Sequence, residues 1–286
     1  MTNLHTSTEK ETQNRTNLRV RAITSFTLGP LVLVVTFIGG TAFTVLGLGL
    51  AIFSMLEFCA LGTDRKMAGI VSIGLPAVVA LVLTVSGHEY GWVLALLLAV
   101  MAAGLLIESL RRSPESPAIG RRTMFTLVAL LYSGLPSAIL IELRAMPDGL
   151  IWIIFLYFIT WGTDTLAFFG GRMWGKHKLA PRISPKKTVE GAVVGIIGGA
   201  ALALLLLANT EKLSALTVFV ALLGPVLAVA GDLFESGLKR YFHAGDSHIA
   251  GLNIIPGHGG VLDRTDSLIW VAALCYVAFK LAGMGF

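Results

Sequence analysis

The sequence predicts an all-α polytopic integral membrane protein of about nine transmembrane helices, with a cytoplasmic N-terminus and a functional site at the cytoplasmic side. Three observations predict it. Of the 286 residues 55% are hydrophobic and only 14% charged, where a soluble domain carries about 25% charged residues. Mean hydropathy is +0.79. The charges that remain fall mostly between long uncharged runs rather than within them. This composition excludes a water-soluble enzyme, and its apolar bulk excludes a disordered chain. The net charge of +5 comes from 22 Lys and Arg against 17 Asp and Glu. In a membrane protein that excess reflects cationic cytoplasmic loops, so no nucleic-acid partner is expected.

The elements follow in order along the chain. Residues 1–20 are polar and read as a cytoplasmic tail, not a cleavable signal peptide. Ala22 to Leu56 carries no charge and is long enough for two helices, with Gly39-Gly40 as the break. Further spans are expected at 67–87, 90–107, 123–141, 149–170, 191–210, 213–231 and 267–285. Lys280 interrupts the last and can snorkel to the interface. With the N-terminus inside, nineteen of the 22 cations fall on the cytoplasmic side, and only Arg144 and Lys212 fall in outside loops. The chain then divides into the tail, N-terminal helices over 21–141, and a catalytic transmembrane region over 142–286. That region holds two long cytoplasmic loops, 171–190 and 233–266, where function is expected. Cys59 and Cys275 sit in apolar runs and are too few for a disulfide framework or a zinc site.

Acids in or against apolar spans are costly and point to function. Asp164 lies inside a span, Asp232 and Glu235 close one, and Asp263 and Asp266 open another. A spacing of three sets Asp232 with Glu235, and Asp263 with Asp266, on one helix face. Converging carboxylates of this kind suit a hard divalent ion such as Mg²⁺, which shares oxygen ligands with phosphates. Glu57 and Glu108 read instead as interfacial charges near Arg65 and Arg111.

Two polar segments carry the rest. Arg172 through Lys187 holds six cations in sixteen residues, enough to neutralise a triphosphate or an anionic headgroup. Its end, Ser184-Pro-Lys186-Lys187-Thr188-Val-Glu190-Gly191, resembles a helix-capping segment whose amides can receive phosphate. The bland alternative is a topology-setting patch at the lipid surface. In Pro256-Gly257-His258-Gly259-Gly260, three glycines around a histidine let the backbone approach a ligand closely. The spacing is not that of a P-loop. His258 either donates to a phosphate or caps the turn.

Ser236-Gly-Leu-Lys239-Arg240, followed by Pro256-Gly-His-Gly-Gly-Val-Leu-Asp263-Arg264-Thr-Asp266, resembles the signature of the phosphatidate cytidylyltransferases, or CDP-diacylglycerol synthases. The stretch from Trp161 to Gly191 is similar to that family's other shared block, and Asn17-Leu-Arg-Val-Arg21 to its usual start. The resemblance covers almost the whole chain. It departs at Gly245-Asp246, where the family has Lys-Asp; here the loop to Pro256 is longer and that lysine is missing.

The resemblance implies transfer of the cytidylyl group of CTP to phosphatidic acid, giving CDP-diacylglycerol and pyrophosphate, in a homodimer; a bacterial inner membrane is expected from the lack of a targeting peptide. It implies Mg²⁺ on Asp232 and Asp263, with Asp266 or Glu235 for a second cation. Lys239, Arg240 and Arg264 would neutralise the leaving pyrophosphate or the lipid phosphate. Ser184, Lys186, Lys187 and Thr188 would grip another phosphate, with Arg172, Glu190, Ser236, Gly259 and Gly260 completing the substrate site. Asp164 would face the cavity, and His258 would shape the phosphate loop. The alternatives are an inactive or altered-substrate paralogue and a cation-coupled transporter. A CDP-alcohol phosphotransferase is disfavoured, because its Asp-Gly-x-x-Ala-Arg run is absent.

Overall fold

A computed structural model describes residues 26–62, 119–242 and 260–283, with scattered helical positions between 77 and 110. The apolar runs form helices because a bilayer offers the backbone no water, so each amide must bond within its own segment. The first uncharged run gives α1 (Phe26–Ile38) and α2 (Gly40–Gly62), broken where expected. Gly39 and Gly40 take φ values of 67° and 52°, a left-handed region that glycine enters freely. The Arg144 side chain caps this break, its Nε donating to the Thr36 carbonyl at 2.8 Å and its Nη2 to that of Phe37 at 3.1 Å. A Cβ at Gly39 would collide with that guanidinium.

The next helix, α3 (Ile119–Ala145), runs antiparallel to α2. Phe58 meets Phe125 at 5.5 Å near one end, and Gly47 meets Ile141 near the other. A turn at Asp148 leads into one long span, Gly149–Trp174. It comprises α4 (Gly149–Tyr157), a π turn (Phe158–Gly162) and α5 (Thr163–Trp174). Strands β1 (Lys178–Ala180) and β2 (Ser184–Thr188) pair antiparallel, Lys178 opposite Thr188. Helices α6 (Val189–Asn209), α7 (Ala215–Tyr241) and α8 (Leu262–Leu281) follow. Lys212, between α6 and α7, is ion-paired with Asp148, so both turns lie at the end of the bundle that Arg144 also occupies.

Five stretches among the described residues are long and apolar enough to cross a membrane, drawn from α2, α3, the α4–α5 span, α6 and α7. The expected spans at 67–87 and 90–107 lie outside the described residues apart from isolated helical positions. The described parts of the two expected loops are largely helix and strand. The 171–190 segment holds the end of α5 and the β-hairpin, a small exception to an all-α fold. The 233–266 segment begins inside α7, which continues to Tyr241, and ends inside α8, which starts at Leu262. Helix α7 persists past its apolar run because Glu235 and Lys239 pair one turn apart at 2.7 Å.

Helices α5 and α6 approach closely along Gly191, Gly195 and Gly199, spaced four apart on α6. A Cβ at Gly195 would lie 2.6 Å from the Thr163 carbonyl and 2.7 Å from the Ala167 methyl. Small residues at such intervals let membrane helices pack backbone to backbone. Gly195→Val is therefore expected to destabilise the fold by about 1–3 kcal/mol, as overpacking does elsewhere. Thermal unfolding of the detergent-solubilised protein measures it, and an unchanged midpoint would contradict the close approach.

Candidate active site

The polar residues gather at the end of the bundle opposite Arg144 and Lys212. Asp164 comes from the first turn of α5, directly after the π turn. That turn inserts one residue into a helix, a device common at functional sites. Tyr157 and Trp161 stack across it at 4.1 Å, and Thr160 Oγ1 donates to the Leu156 carbonyl at 2.8 Å. Asp232 comes from α7 and Asp266 from the first turn of α8. These three carboxylates lie within electrostatic reach of one another, and Lys187 and Arg264 act on the same group.

Lys187 reaches the group from the C-terminal half of β2, where the strand turns into the start of α6. Lys186 points out to the exposed side of β2, and Lys187 is half-buried and ion-paired with Asp232. Ser236, one turn on, donates to the other Asp232 oxygen at 3.4 Å. The hairpin is held at both ends. At its base, Glu190 accepts from the Lys176 amide at 3.0 Å and the His177 amide at 3.2 Å, and lies 2.6 Å from His177 Nδ1. At its tip, Arg240 Nε donates to the Ile183 carbonyl at 3.3 Å. Thr188 caps α6, accepting from the Gly191 amide at 3.2 Å. Ser184 opens β2 and is half-buried, whereas Arg172, Lys176, Lys178, Arg182 and Lys186 are exposed.

A second knot lies beside the first. Lys239 stands between two acids, 2.7 Å from Glu235 and 2.9 Å from Asp263. The other Asp263 oxygen accepts from the Gly260 amide at 3.0 Å. The acids predicted to share helix faces thus split by partner. Asp232 and Asp266 join Asp164, while Glu235 and Asp263 turn to Lys239. Among the described residues, no three His, Cys, Asp or Glu side chains are drawn together closely enough to hold a metal ion. His258, Gly259 and the altered dipeptide Gly245-Asp246 lie outside the described residues.

One residue at this end escaped the sequence reading. Glu57, read as an interfacial charge, is 1% exposed. Its two oxygens accept from the amides of Val261 at 2.9 Å and Leu262 at 2.7 Å, at the start of α8. The available signal was a carboxylate inside an otherwise uncharged run. The two cysteines are free and buried, as their apolar surroundings imply.

A model of the cytidylyltransferase family matches residues 19–282. A phosphatidate cytidylyltransferase of Brucella abortus biovar 1 (strain 9-941) is 35% identical over 264 residues, 91% of this chain and 93% of its own. That of Staphylococcus saprophyticus subsp. saprophyticus is 34% identical over 240 residues, covering 80% and 88% respectively. That of Staphylococcus aureus (strain COL) is 32% identical over 266 residues, covering 90% and 97%.

The base of the hairpin yields a direct test. Glu190→Ala removes the acceptor for two amides and the partner of His177. Trypsin should then cut faster after Lys176 and Lys178, with little change in the thermal midpoint. Unchanged digestion would mean that Glu190 does not hold the hairpin.

Proposed function

The chain belongs to the cytidylyltransferase family, and from that premise we propose that it transfers the cytidylyl group of CTP to phosphatidic acid. An oxygen of the lipid phosphate attacks the α-phosphorus of CTP. The bond from that phosphorus to its bridge to the β-phosphate breaks, and pyrophosphate leaves with the electron pair. CDP-diacylglycerol is the lipid product. The observation that carries this reading, beside family membership, is the convergence of Asp164, Asp232 and Asp266 with Lys187 and Arg264 at one end of an apolar bundle.

Both reactants are anions, so the barrier is largely charge repulsion and orientation. Lys187 and Arg264 would neutralise phosphate oxygens beside the carboxylates, and Arg240 and Lys239 extend that field along α7. The lipid phosphate is already ionised near neutral pH, so no strong general base is needed. The donor chemistry suits Mg²⁺, with carboxylate oxygens from an exposed Asp164, a half-buried Asp232 and a buried Asp266 alongside phosphate-binding cations, although the three are not drawn together as a closed ligand set. Asp232 and Asp266, with Asp164 beside them, would hold it. Asp263 and Glu235 would join, or hold a second cation, only by releasing Lys239. When bound, the ion supplies positive charge against the triphosphate. The same reading takes the site end as cytoplasmic, the membrane as the bacterial inner membrane, and the assembly as a homodimer.

Transfer of radiolabelled CTP into lipid tests the reading, with purified protein, phosphatidic acid and Mg²⁺. EDTA should abolish product. Asp232→Asn should lower the rate on the order of 100-fold or more, as loss of a charge-stabilising group does in other active sites. Lys187→Ala should raise the KM for CTP or lipid. No product from folded wild-type protein would overturn the assignment, and an unaltered Lys187→Ala profile would return the hairpin to a surface role.

A further inference from the structure

We infer that Glu57 is a positioning residue for the reaction, holding the first turn of α8 and through it Asp263, Arg264 and Asp266. The inference rests on the functional reading above, because those three residues matter only if the site does that chemistry.

Helix α8 has no side-chain cap of its own, and Val261 stands at its N-cap. A helix start normally finds a Ser, Thr, Asp or Asn there to accept its free amides. Here the acceptor comes from another helix. Three successive amides meet two carboxylates: Gly260 donates to Asp263, and Val261 and Leu262 donate to the two oxygens of Glu57. Gly260, Val261 and Leu262 are all buried, so water does not compete for these amides. Ser54, one turn before Glu57 on α2, lies 3.4 Å from Thr265 across the hydroxyls and adds a second tie between the same helices.

A buried carboxylate on a membrane helix is costly. Two amide donors and the positive end of the α8 dipole offset that cost here. The pairing fixes both the height and the rotation of the turn. Asp263 then meets Lys239 and Gly260, while Asp266, almost one turn on, faces Asp232 and Asp164. If Glu57 lets go, the turn can rotate or rise, and both sets of contacts change together. A displacement of about 1 Å of reacting groups can cost roughly 100-fold in rate.

Glu57→Gln keeps the shape but presents an NH₂ group to one of the two amides. Glu57→Asp keeps the charge but shortens its reach. The experiment measures kcat and KM for CTP and lipid, thermal midpoint, and amide hydrogen exchange at 261 and 262, in both variants and in wild type. The expected result for Glu57→Gln is a fall in kcat of roughly 100-fold, with KM within about threefold and the midpoint within a few degrees. Exchange at 261 and 262 should quicken, and Glu57→Asp should recover part of the kcat. Wild-type kcat in Glu57→Gln overturns the inference. So does a loss of activity in both variants that only tracks loss of folded protein. Should Glu57→Gln not fold, Glu57→Asp carries the same comparison. If wild-type protein forms no product, the functional reading fails by itself. The exchange rates then still decide whether Glu57 holds the turn.

Discussion

A helix that begins inside an apolar bundle must find acceptors for its first amides, because neither water nor a preceding turn supplies them. That constraint organises the active end of this protein. Helix α7 runs on to Tyr241, nine residues past Asp232, while α8 starts within a turn of Asp266, the residue that faces it. The start of α8 is therefore recessed by roughly 8 Å below the tip of α7, at 1.5 Å per residue. At that depth its amides are satisfied by Glu57 and Asp263, one acid from the N-terminal helices and one from α8 itself. The N-terminal helices are thus joined to the polar site through a hydrogen-bonded contact as well as through packing.

The charges follow the same economy. Among the described residues, each acid at this end has a cation or amide donors within reach, and each inward-facing cation has an acid. Lys187 answers Asp232, Lys239 answers Glu235 and Asp263, and Arg264 lies within reach of Asp164. The most buried of these charges, that of Glu235, is tolerated because it is paired. The exposed cations of the hairpin are left on its outer side, where phosphate headgroups of a bilayer would meet them. One strand therefore serves two environments, with Lys186 exposed and Lys187 half-buried against Asp232.

Much of the fold was legible because a membrane span is a long uncharged run, and such runs need no pairing information. The Gly39-Gly40 break, the spans through 149–170 and 191–210, and the suspicious acids all follow from local sequence. The end of α7 was not legible by the same rule. Asp232, Glu235 and Lys239 look like loop residues to a hydropathy count, and only their spacing along a helix reveals the pair that keeps it wound. The hairpin was hidden because three- and five-residue strands with a proline leave no clear alternation. Glu57 was missed for a deeper reason. Its partners are backbone amides 204 and 205 positions away, and a backbone amide has no letter in the sequence. The division of five acids into two sets was likewise set by Lys187 and Lys239, which only the fold brings to them.

The π turn at Phe158–Gly162 has a mechanical consequence. One inserted residue shifts the angular phase of a helix by about 100°. Above the insertion, Tyr157 is tied to Thr36 at 3.0 Å, so the upper half is keyed to α1. Below it, Thr163 and Ala167 must meet the glycines of α6, so the lower half is keyed to a different neighbour. A straight helix could be in phase with one partner or the other. The insertion lets a single span mesh with both, like a splined shaft cut in two offsets, and Asp164 stands on the lower section. The direction in which that carboxylate faces is thus set by a mismatch between two helix contacts, and removing one residue from Phe158–Gly162 would turn it out of the site without touching any charged group.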